Sequence, residues 1–369
     1  MTYVFLAEGF EEIEALTTVD ILRRCGLEVT MVGVGGEQIT GAHGIRVQCD
    51  FPLDRVIPSC AELVVIPGGM PIGIYMKTDG VLGLGIDSIH SSDGQEFSPA
   101  EKLVKSGDYI VGFNGEEVIT KKQLITKIEE LESNDVVLQI RRDGEEIKIK
   151  VVPVMTAEKE YKLGIWVRDS VQGLGTVTYV TANNEFGALG HGIHDTDTDE
   201  LLEIKEGRVY DAKILRIEKG RKGSPGGMEG MIVYNRYNIL GSIDENTDIG
   251  VFGTIKNTDA LITDDTPVTV CSKNNVKIGA ASIRCCVDGQ VEEYEIEIQR
   301  VNYFSMEANK GLVIKVVDEK LLEITGGIVQ GMSGSPILQN GKIVGAVTHV
   351  LVNDPTRGYG IFIEDMMKQ

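Results

Sequence analysis

Apolar and polar positions fall into three successive regimes along the chain. In residues 1–69, short apolar runs flank one stretch of helical period. Tyr3-Val4-Phe5-Leu6 predicts a buried strand. Residues 11–25 predict a helix carrying Ile13, Leu16, Val19, Ile21 and Leu22 on its apolar side, closed by Gly26. Val29-Thr30-Met31-Val32-Gly33-Val34 and Leu63-Val64-Val65-Ile66-Pro67 predict further strands. Strand, helix and strand in that order open a parallel sheet. In residues 70–155, a Gly107-Asp108-Tyr109-Ile110-Val111 strand leads to an Asn114-Gly115 turn. Residues 120–132 then predict an amphipathic helix through Leu124, Ile125, Ile128 and Leu131. Val136-Val137-Leu138-Gln139-Ile140 and Ile147-Lys148-Ile149-Lys150-Val151 predict a hairpin about Asp143-Gly144. Residues 156–369 are β-patterned throughout, with short runs such as 175–180, 212–217, 268–270 and 294–298 punctuated by Gly, Asn and Asp. Strands at that spacing over about 200 residues predict a pair of β-barrels.

Candidate chemistry concentrates in the third regime. Gly331-Met332-Ser333-Gly334-Ser335-Pro336 follows an apolar turn and leads into Ile337-Leu338-Gln339 and a second strand ending at Val347. Gly/Ser/Pro clusters usually mark ordinary turns. A serine in such a turn can nevertheless expose its hydroxyl while the N–H groups of Gly331 and Ser333 converge as an oxyanion hole. Ser335 reads as turn packing. The candidate base is His191, set in Gly190-His191-Gly192, in a chain with only five histidines. A lone histidine is more often structural, and the serine motif downstream is what raises this one. The orienting acid is expected between them. Asp318, after the apolar run 311–317, is the first choice, and Asp244, Asp248, Asp264 and Asp265 satisfy the same order.

Charge and composition narrow the partners. A net charge of −20 disfavours nucleic acid and anionic membrane surfaces. With 42% hydrophobic and 25% charged residues, the chain reads as globular and long enough for two or three domains. The six cysteines form no CxxC and no zinc-ligand spacing, so isolated core thiols are expected, with no metal and no cofactor. No run of 18 apolar residues occurs and Met1 leads straight into a strand, so the chain as written is expected to be cytoplasmic. The 220–230 stretch is expected to be a surface loop.

Three resemblances rest on these residues. Phe5-Leu6-Ala7-Glu8-Gly9-Phe10-Glu11-Glu12-Ile13-Glu14, Ile39-Thr40-Gly41-Ala42-His43-Gly44 and Val65-Ile66-Pro67-Gly68-Gly69 resemble the ThiJ/PfpI family. That resemblance implies a flavodoxin-like fold. It puts the family's acidic partner at Glu14, but no cysteine-bearing elbow follows, so its hydrolase chemistry is expected to be absent. Ser98-Pro99-Ala100-Glu101-Lys102 with residues 107–118 resembles a PDZ domain, which implies addition of a peptide as an extra strand. Gly83, Leu84, Gly85 and Ile86 are the candidate seat for that peptide. Residues 66–74, 186–191, 330–336 and 344–350 together resemble the SpoIVB sporulation serine peptidases. This implies a serine endopeptidase with Ser333 as nucleophile, His191 as base, Asp318 as orienting acid and Gly331 and Ser333 as oxyanion donors. It further implies export to the space between forespore and mother cell and cleavage of a regulatory membrane protein leading to sigma-K activation. Self-cleavage and a peptide ligand for the PDZ domain belong to the same picture.

The expected fold class is therefore multidomain. Residues 1–69 would be an α/β flavodoxin-like fragment, 70–155 an α+β PDZ domain, and 156–369 an all-β double-barrel serine peptidase. The switch between resemblances falls within Val65-Ile66-Pro67-Gly68-Gly69-Met70-Pro71, which predicts a fusion there, with apolar sheet edges left open in the truncated first segment. Two rival functions are a peptide-binding protein with an inactive barrel and a ThiJ/PfpI-type hydrolase.

Overall fold

The computed structural model describes residues 2–53, 63–131, 135–256, 258 and 266–368. They divide into two compact units, Met1–Val64 and Val65–Gln369. In the smaller unit, β1 (Thr2–Ala7) is followed by α1 (Glu12–Arg24) and β2 (Val29–Val34). A hairpin of β3 (Gln38–Thr40) and β4 (Arg46–Gln48) and the short β5 (Phe51–Pro52) complete it. β1 and β5 both pair parallel with β2. The Glu11 carboxylate caps α1 by accepting from the N–H groups of Ile13 and Glu14, and Arg23 and Arg24 sit at the opposite, negative end of the helix dipole. Leu6, Ile39 and Cys49 form a small core. So few strands cannot cover every apolar side chain, and Phe5, Ile13, Ile21 and Phe51 remain exposed.

In the larger unit, β6 (Val64–Pro67) leads into the sixteen-residue β7 (Pro71–Ile86). The order continues with β8 (Tyr109–Phe113), α2 (Lys121–Glu129), β9 (Val136–Arg142) and β10 (Glu145–Val151). Next come β11 (Ile165–Val180), β12 (Glu185–Ala188), β13 (Ile204–Glu218), β14 (Gly227–Ile232), β15 (Ile239–Thr247) and β16 (Gly250–Ile255). Antiparallel pairing closes a first barrel in the order β7, β13, β15, β16, β12, β11 and back to β7. Its interior is Ile72, Ile74, Met76, Val177, Phe186, Val209, Ile243 and Val251.

The chain ends in β17 (Gly279–Cys286), β18 (Val291–Val301), β19 (Leu312–Val316), α3 (Glu319–Thr325), β20 (Pro336–Gln339), β21 (Lys342–Leu351), β22 (Asp354–Phe362) and α4 (Ile363–Met366). These close a second antiparallel barrel in the order β17, β18, β19, β22, β21, β20 and back to β17. Ile283, Tyr294, Ile296, Ile314, Met332, Ile337 and Phe362 fill it. A further cluster, in which Val65, Tyr179 and Phe252 meet Leu338, Ile343, Ala346 and Ile361, joins the two barrels. Closing both sheets removes the unpaired edges that open sheets carry.

The first-barrel strands come from both sides of residues 87–155. The first half of β7 belongs to the barrel, while Val81 and Leu82 pair with Ile110 and Tyr109 of a smaller α+β module. That module has its own core of Val81, Val104, Ile110, Phe113, Leu124, Leu138 and Ile140. Thr120 caps α2 and Gln123 returns a bond to the Thr120 N–H, a complete capping box. Asp143 and Gly144, at φ 52° and 79°, form the tight turn of the β9–β10 hairpin.

Candidate active site

Ser333 and His191 are delivered from different barrels. Ser333 lies in the turn between α3 and β20, and His191 in the loop that leaves β12. The first barrel grips the serine turn through the far end of β11. The Thr176 N–H donates to Ser333 O at 3.2 Å, Thr176 Oγ1 to Gly331 O at 2.8 Å, and Thr178 Oγ1 to Gly334 O at 2.8 Å. From the other side, Gly334 N–H donates to Val347 O and Val347 N–H to Ser335 O, at 2.8 and 2.9 Å. Gly331 and Gly334 take φ of 101° and 95°, values that favour glycine. Space imposes glycine at 334 as well, because a Cβ there would lie 2.1 Å from Thr176 O and 2.5 Å from Leu189 N.

The turn leaves two donors unspent. The N–H groups of Met332, Gly334 and Ser335 are bonded to Val329, Val347 and Met332 carbonyls. Those of Gly331 and Ser333 have no hydrogen-bond acceptor among the described residues. Two free N–H groups flanking a half-buried serine are the arrangement that stabilises a tetrahedral oxyanion. Ser335 is fully buried and its hydroxyl has no partner among the described residues, so no substrate can reach it.

The Ser333 hydroxyl donates to Thr348 O at 2.6 Å on β21. The next residue, His349, brings its ring to 4.8 Å from that of His191, tilted by 36°. Gly190 packs against the Thr348 and Ile361 side chains, which fixes the histidine loop beside this strand. Asn246 braces the loop from the first barrel by accepting from Ile193 N–H at 2.8 Å and donating to the carbonyls of Ile193 and Leu202. His191 Nδ1 lies 2.8 Å from Gly192 O. A carbonyl can only accept, so Nδ1 carries the proton and Nε2 keeps its lone pair. Burial pushes the His191 pKa below its ordinary value, with a smaller contribution from nearby His194. The same effects, burial first and His191 next, bring His349 down to about 4.

Asp318 is placed elsewhere. It ends the strand region after β19 and caps α3, with Oδ1 accepting from Leu321 N–H at 2.9 Å and Oδ2 from Glu295 N–H at 3.3 Å. Each oxygen accepts from one main-chain donor, and no carboxylate hydrogen-bonds to His191 among the described residues. In this arrangement Gly192 O sets the His191 tautomer, and Asp318, the expected orienting acid, caps the helix that feeds the serine turn. Of the alternatives, Asp244 accepts from Thr254 at 3.4 Å, Asp248 lies 4.0 Å from His194, and Asp264 and Asp265 lie outside the described residues. Sequence reasoning missed His349, Thr176 and Asn246. Nothing local marks them, since their partners are 155 residues or so away in the case of Thr176 and Gly331.

Gly83, Leu84, Gly85 and Ile86 lie in the second half of β7. Gly83, Gly85 and Ile86 pair with Val167, Trp166 and Ile165. On the other edge, Gly83 exchanges bonds with Asp108 and Gly107, and Ser106 donates to Leu84 O. Gly83 is thus engaged on both edges and the Leu84 carbonyl is taken, which leaves little main chain free for a peptide at this end of the stretch. The opening lies instead across β11: a groove of about 590 Å³ runs between α2 (Leu124, Ile125, Ile128) and the stretch 161–167. β11 thus borders this groove at Ile165–Val167 and grips the serine turn at Thr176.

In the smaller unit, Glu11, Glu12 and His43 form a grouping of metal-capable atoms, all within 4.8 Å of one another. Glu12 is satisfied by protein donors: the His43 and Ile45 N–H groups at 2.8 and 3.4 Å and the His43 ring at 2.8 Å. Burial alone would raise its pKa, but those bonds bring it down to about 2. Glu14 is exposed on α1. Cys49, Cys271, Cys285 and Cys286 are buried and unpaired, and burial raises each thiol pKa. No helix among the described residues is long and apolar enough to cross a membrane.

Comparison with known proteins finds two families along the chain. Residues 159–367 match the SpoIVB peptidase S55 family, and residues 2–94 match the DJ-1/PfpI family. The chain is similar to Protein DJ-1 homolog B of Arabidopsis thaliana, 36% identical over 28% of this chain and 20% of that protein. It is also similar to Protein dj-1beta of Drosophila melanogaster, 34% identical over 25% of this chain and 49% of that one. The chain thus spans a fifth to a half of the length of these relatives, and the matched part is N-terminal. Among solved structures, the PDZ domain of the SdrC-like protein from Listeria monocytogenes aligns with 24% of this chain and 87% of its own, at 16% identity and a TM-score of 0.20. The active form of the Rv3671c protease from M. tuberculosis aligns with 55% of this chain and 73% of its own, at 12% identity and a TM-score of 0.29.

Proposed function

Because the chain belongs to the SpoIVB peptidase S55 family, and is therefore a serine peptidase, we propose that it is an endopeptidase whose nucleophile is Ser333 and whose base is His191. The observation that carries this reading is the pair of unbonded N–H groups at Gly331 and Ser333 on a turn held by both barrels. In the first step Ser333 Oγ turns from Thr348 O toward His191. Its proton passes to Nε2 as the Oγ–C bond forms, and the carbonyl π pair moves onto oxygen, where the two N–H groups receive it. His191 then protonates the leaving amine as the C–N bond breaks, and water, deprotonated by the same Nε2, releases the acyl group. The Gly192 carbonyl keeps the proton on Nδ1 throughout. Asp318 serves by capping α3, whose end at Gly326 opens the path into the serine turn.

The resemblance to SpoIVB peptidases extends the proposal to an exported enzyme that cleaves itself and a regulatory membrane protein in sporulation signalling to sigma-K. A peptide would add in the groove between α2 and residues 161–167, where β11 connects it to the serine turn. The test is digestion of fluorescein-labelled casein together with the intact mass of the purified chain over time. Wild type should release fluorescent peptides and shorten itself, while Ser333→Ala does neither. Equal activity in the variant would remove Ser333 from the chemistry.

A further inference from the structure

We infer that His349 is a positioning residue for the base, holding the His191 imidazole in the plane from which Nε2 can take the Ser333 proton. The inference rests on the serine-peptidase reading and adds to it a residue given no role there. The position of His349 on β21 is the first support. It directly follows Thr348, whose carbonyl receives the Ser333 hydroxyl at 2.6 Å, so one strand carries both the resting partner of the nucleophile and the neighbour of the base. The second support is what His191 otherwise lacks. Its single hydrogen bond among the described residues, Nδ1 to Gly192 O at 2.8 Å, fixes the tautomer. One bond at one edge still lets the ring swing about that contact. In a triad a carboxylate removes this freedom, but here Asp318 is occupied on α3. A ring 4.8 Å away and tilted by 36° restricts the swing by contact with the imidazole face.

The third support is charge. The groups facing His349 are His191 and His194 from the histidine loop and Lys310 and Glu307 from the turn before β19. Burial first, and His191 next, hold the His349 pKa down to about 4. A neutral ring beside His191 does not repel the imidazolium formed during proton transfer.

The test measures the rate at which a fluorophosphonate probe phosphonylates Ser333 in the full chain, across about pH 5 to 9, where an unperturbed histidine titrates. Ser333→Ala is the reference: unabated labelling there would defeat the serine assignment itself and is separate from the present inference. His349→Ala should lower the plateau rate by about ten-fold and move the acid limb upward, toward an ordinary histidine, because His191 is then less buried. His349→Gln, which keeps polarity without a ring, should behave as alanine does, and carries the test if the alanine variant does not fold. His349→Phe should recover the plateau to within about three-fold of wild type, a loss smaller than ~1 kcal/mol. Unchanged rate and limb in the alanine and glutamine variants would overturn the inference. So would a phenylalanine variant as impaired as the glutamine one at equal thermal stability.

Discussion

Replacing Gly334 by alanine tests how the two barrels hold the serine turn. The new Cβ would lie 2.1 Å from Thr176 O, 2.5 Å from Leu189 N and 3.0 Å from Leu189 Cα. All three are main-chain atoms of the first barrel, so no flexible side chain can yield. Relief requires the turn and the stretch leading to His191 to separate by roughly 1 Å. The positive φ of 95° adds a backbone penalty of about 1–3 kcal/mol. Overpacking contributes about 1–3 kcal/mol more. A displacement of that size between nucleophile and base costs about 100-fold in rate even where the fold survives. The assay is the fluorophosphonate labelling rate beside a thermal melt. Gly341→Ala is the control, since it lies in the same barrel at φ 73° with nothing within 4 Å of its Cβ. The control should lose a little stability and keep its labelling rate. Wild-type labelling of Gly334→Ala would refute the reasoning that this contact sets the distance between Ser333 and His191.

Thr176→Val removes the Oγ1 bond to Gly331 O but leaves the N–H bond to Ser333 O, so labelling should fall about ten-fold, equivalent to ~1.4 kcal/mol, with the melt lowered only slightly. Asp318→Ala should destabilise the larger unit by about 1 kcal/mol through loss of the α3 cap, read by denaturant melts. Asp318→Asn, whose one carbonyl oxygen can keep the cap on Leu321 N–H while the bond from Glu295 N–H is lost, should label within about ten-fold of wild type. A loss near 10⁴-fold would show instead that this carboxylate orients the base. His349, native pKa about 4 against 6.5 for a free imidazole, binds its proton more tightly when unfolded. Its contribution to stability is therefore complete above about pH 6.5 and is lost as pH falls toward 4, so His349→Phe should flatten that part of a stability–pH curve.

Local patterns were legible where local physics decides. The apolar period of residues 11–25 gave α1 (Glu12–Arg24), and that of residues 120–132 gave α2 (Lys121–Glu129). Asp143-Gly144 marked its hairpin because only small or turn-forming residues tolerate two positive φ values in succession. Asp318 shows the opposite case. It was legible as a strand end, yet Asp318 followed by Glu319-Lys320-Leu321-Leu322 and closed by Gly326, at φ 74°, is also an N-cap to C-cap signature for a helix. Reading that signature would have diverted the residue from the base. The Gly83–Ile86 stretch looked like an open seat because sequence shows what a strand is, not which of its edges are taken. Barrel closure, the grip of Thr176 on Gly331 and the contact of His349 with His191 are pairings across distant segments, set by register and packing rather than by any residue's neighbours in the chain.

The most direct measurement is a crystal structure of the full chain after reaction with a fluorophosphonate. With fluoride expelled, the phosphorus should be bonded to Ser333 Oγ, with its phosphonyl oxygen about 2.7–3.1 Å from the N–H groups of both Gly331 and Ser333 and the His191 ring still beside His349. An adduct on another residue, or a phosphonyl oxygen turned away from those two donors, would contradict the account.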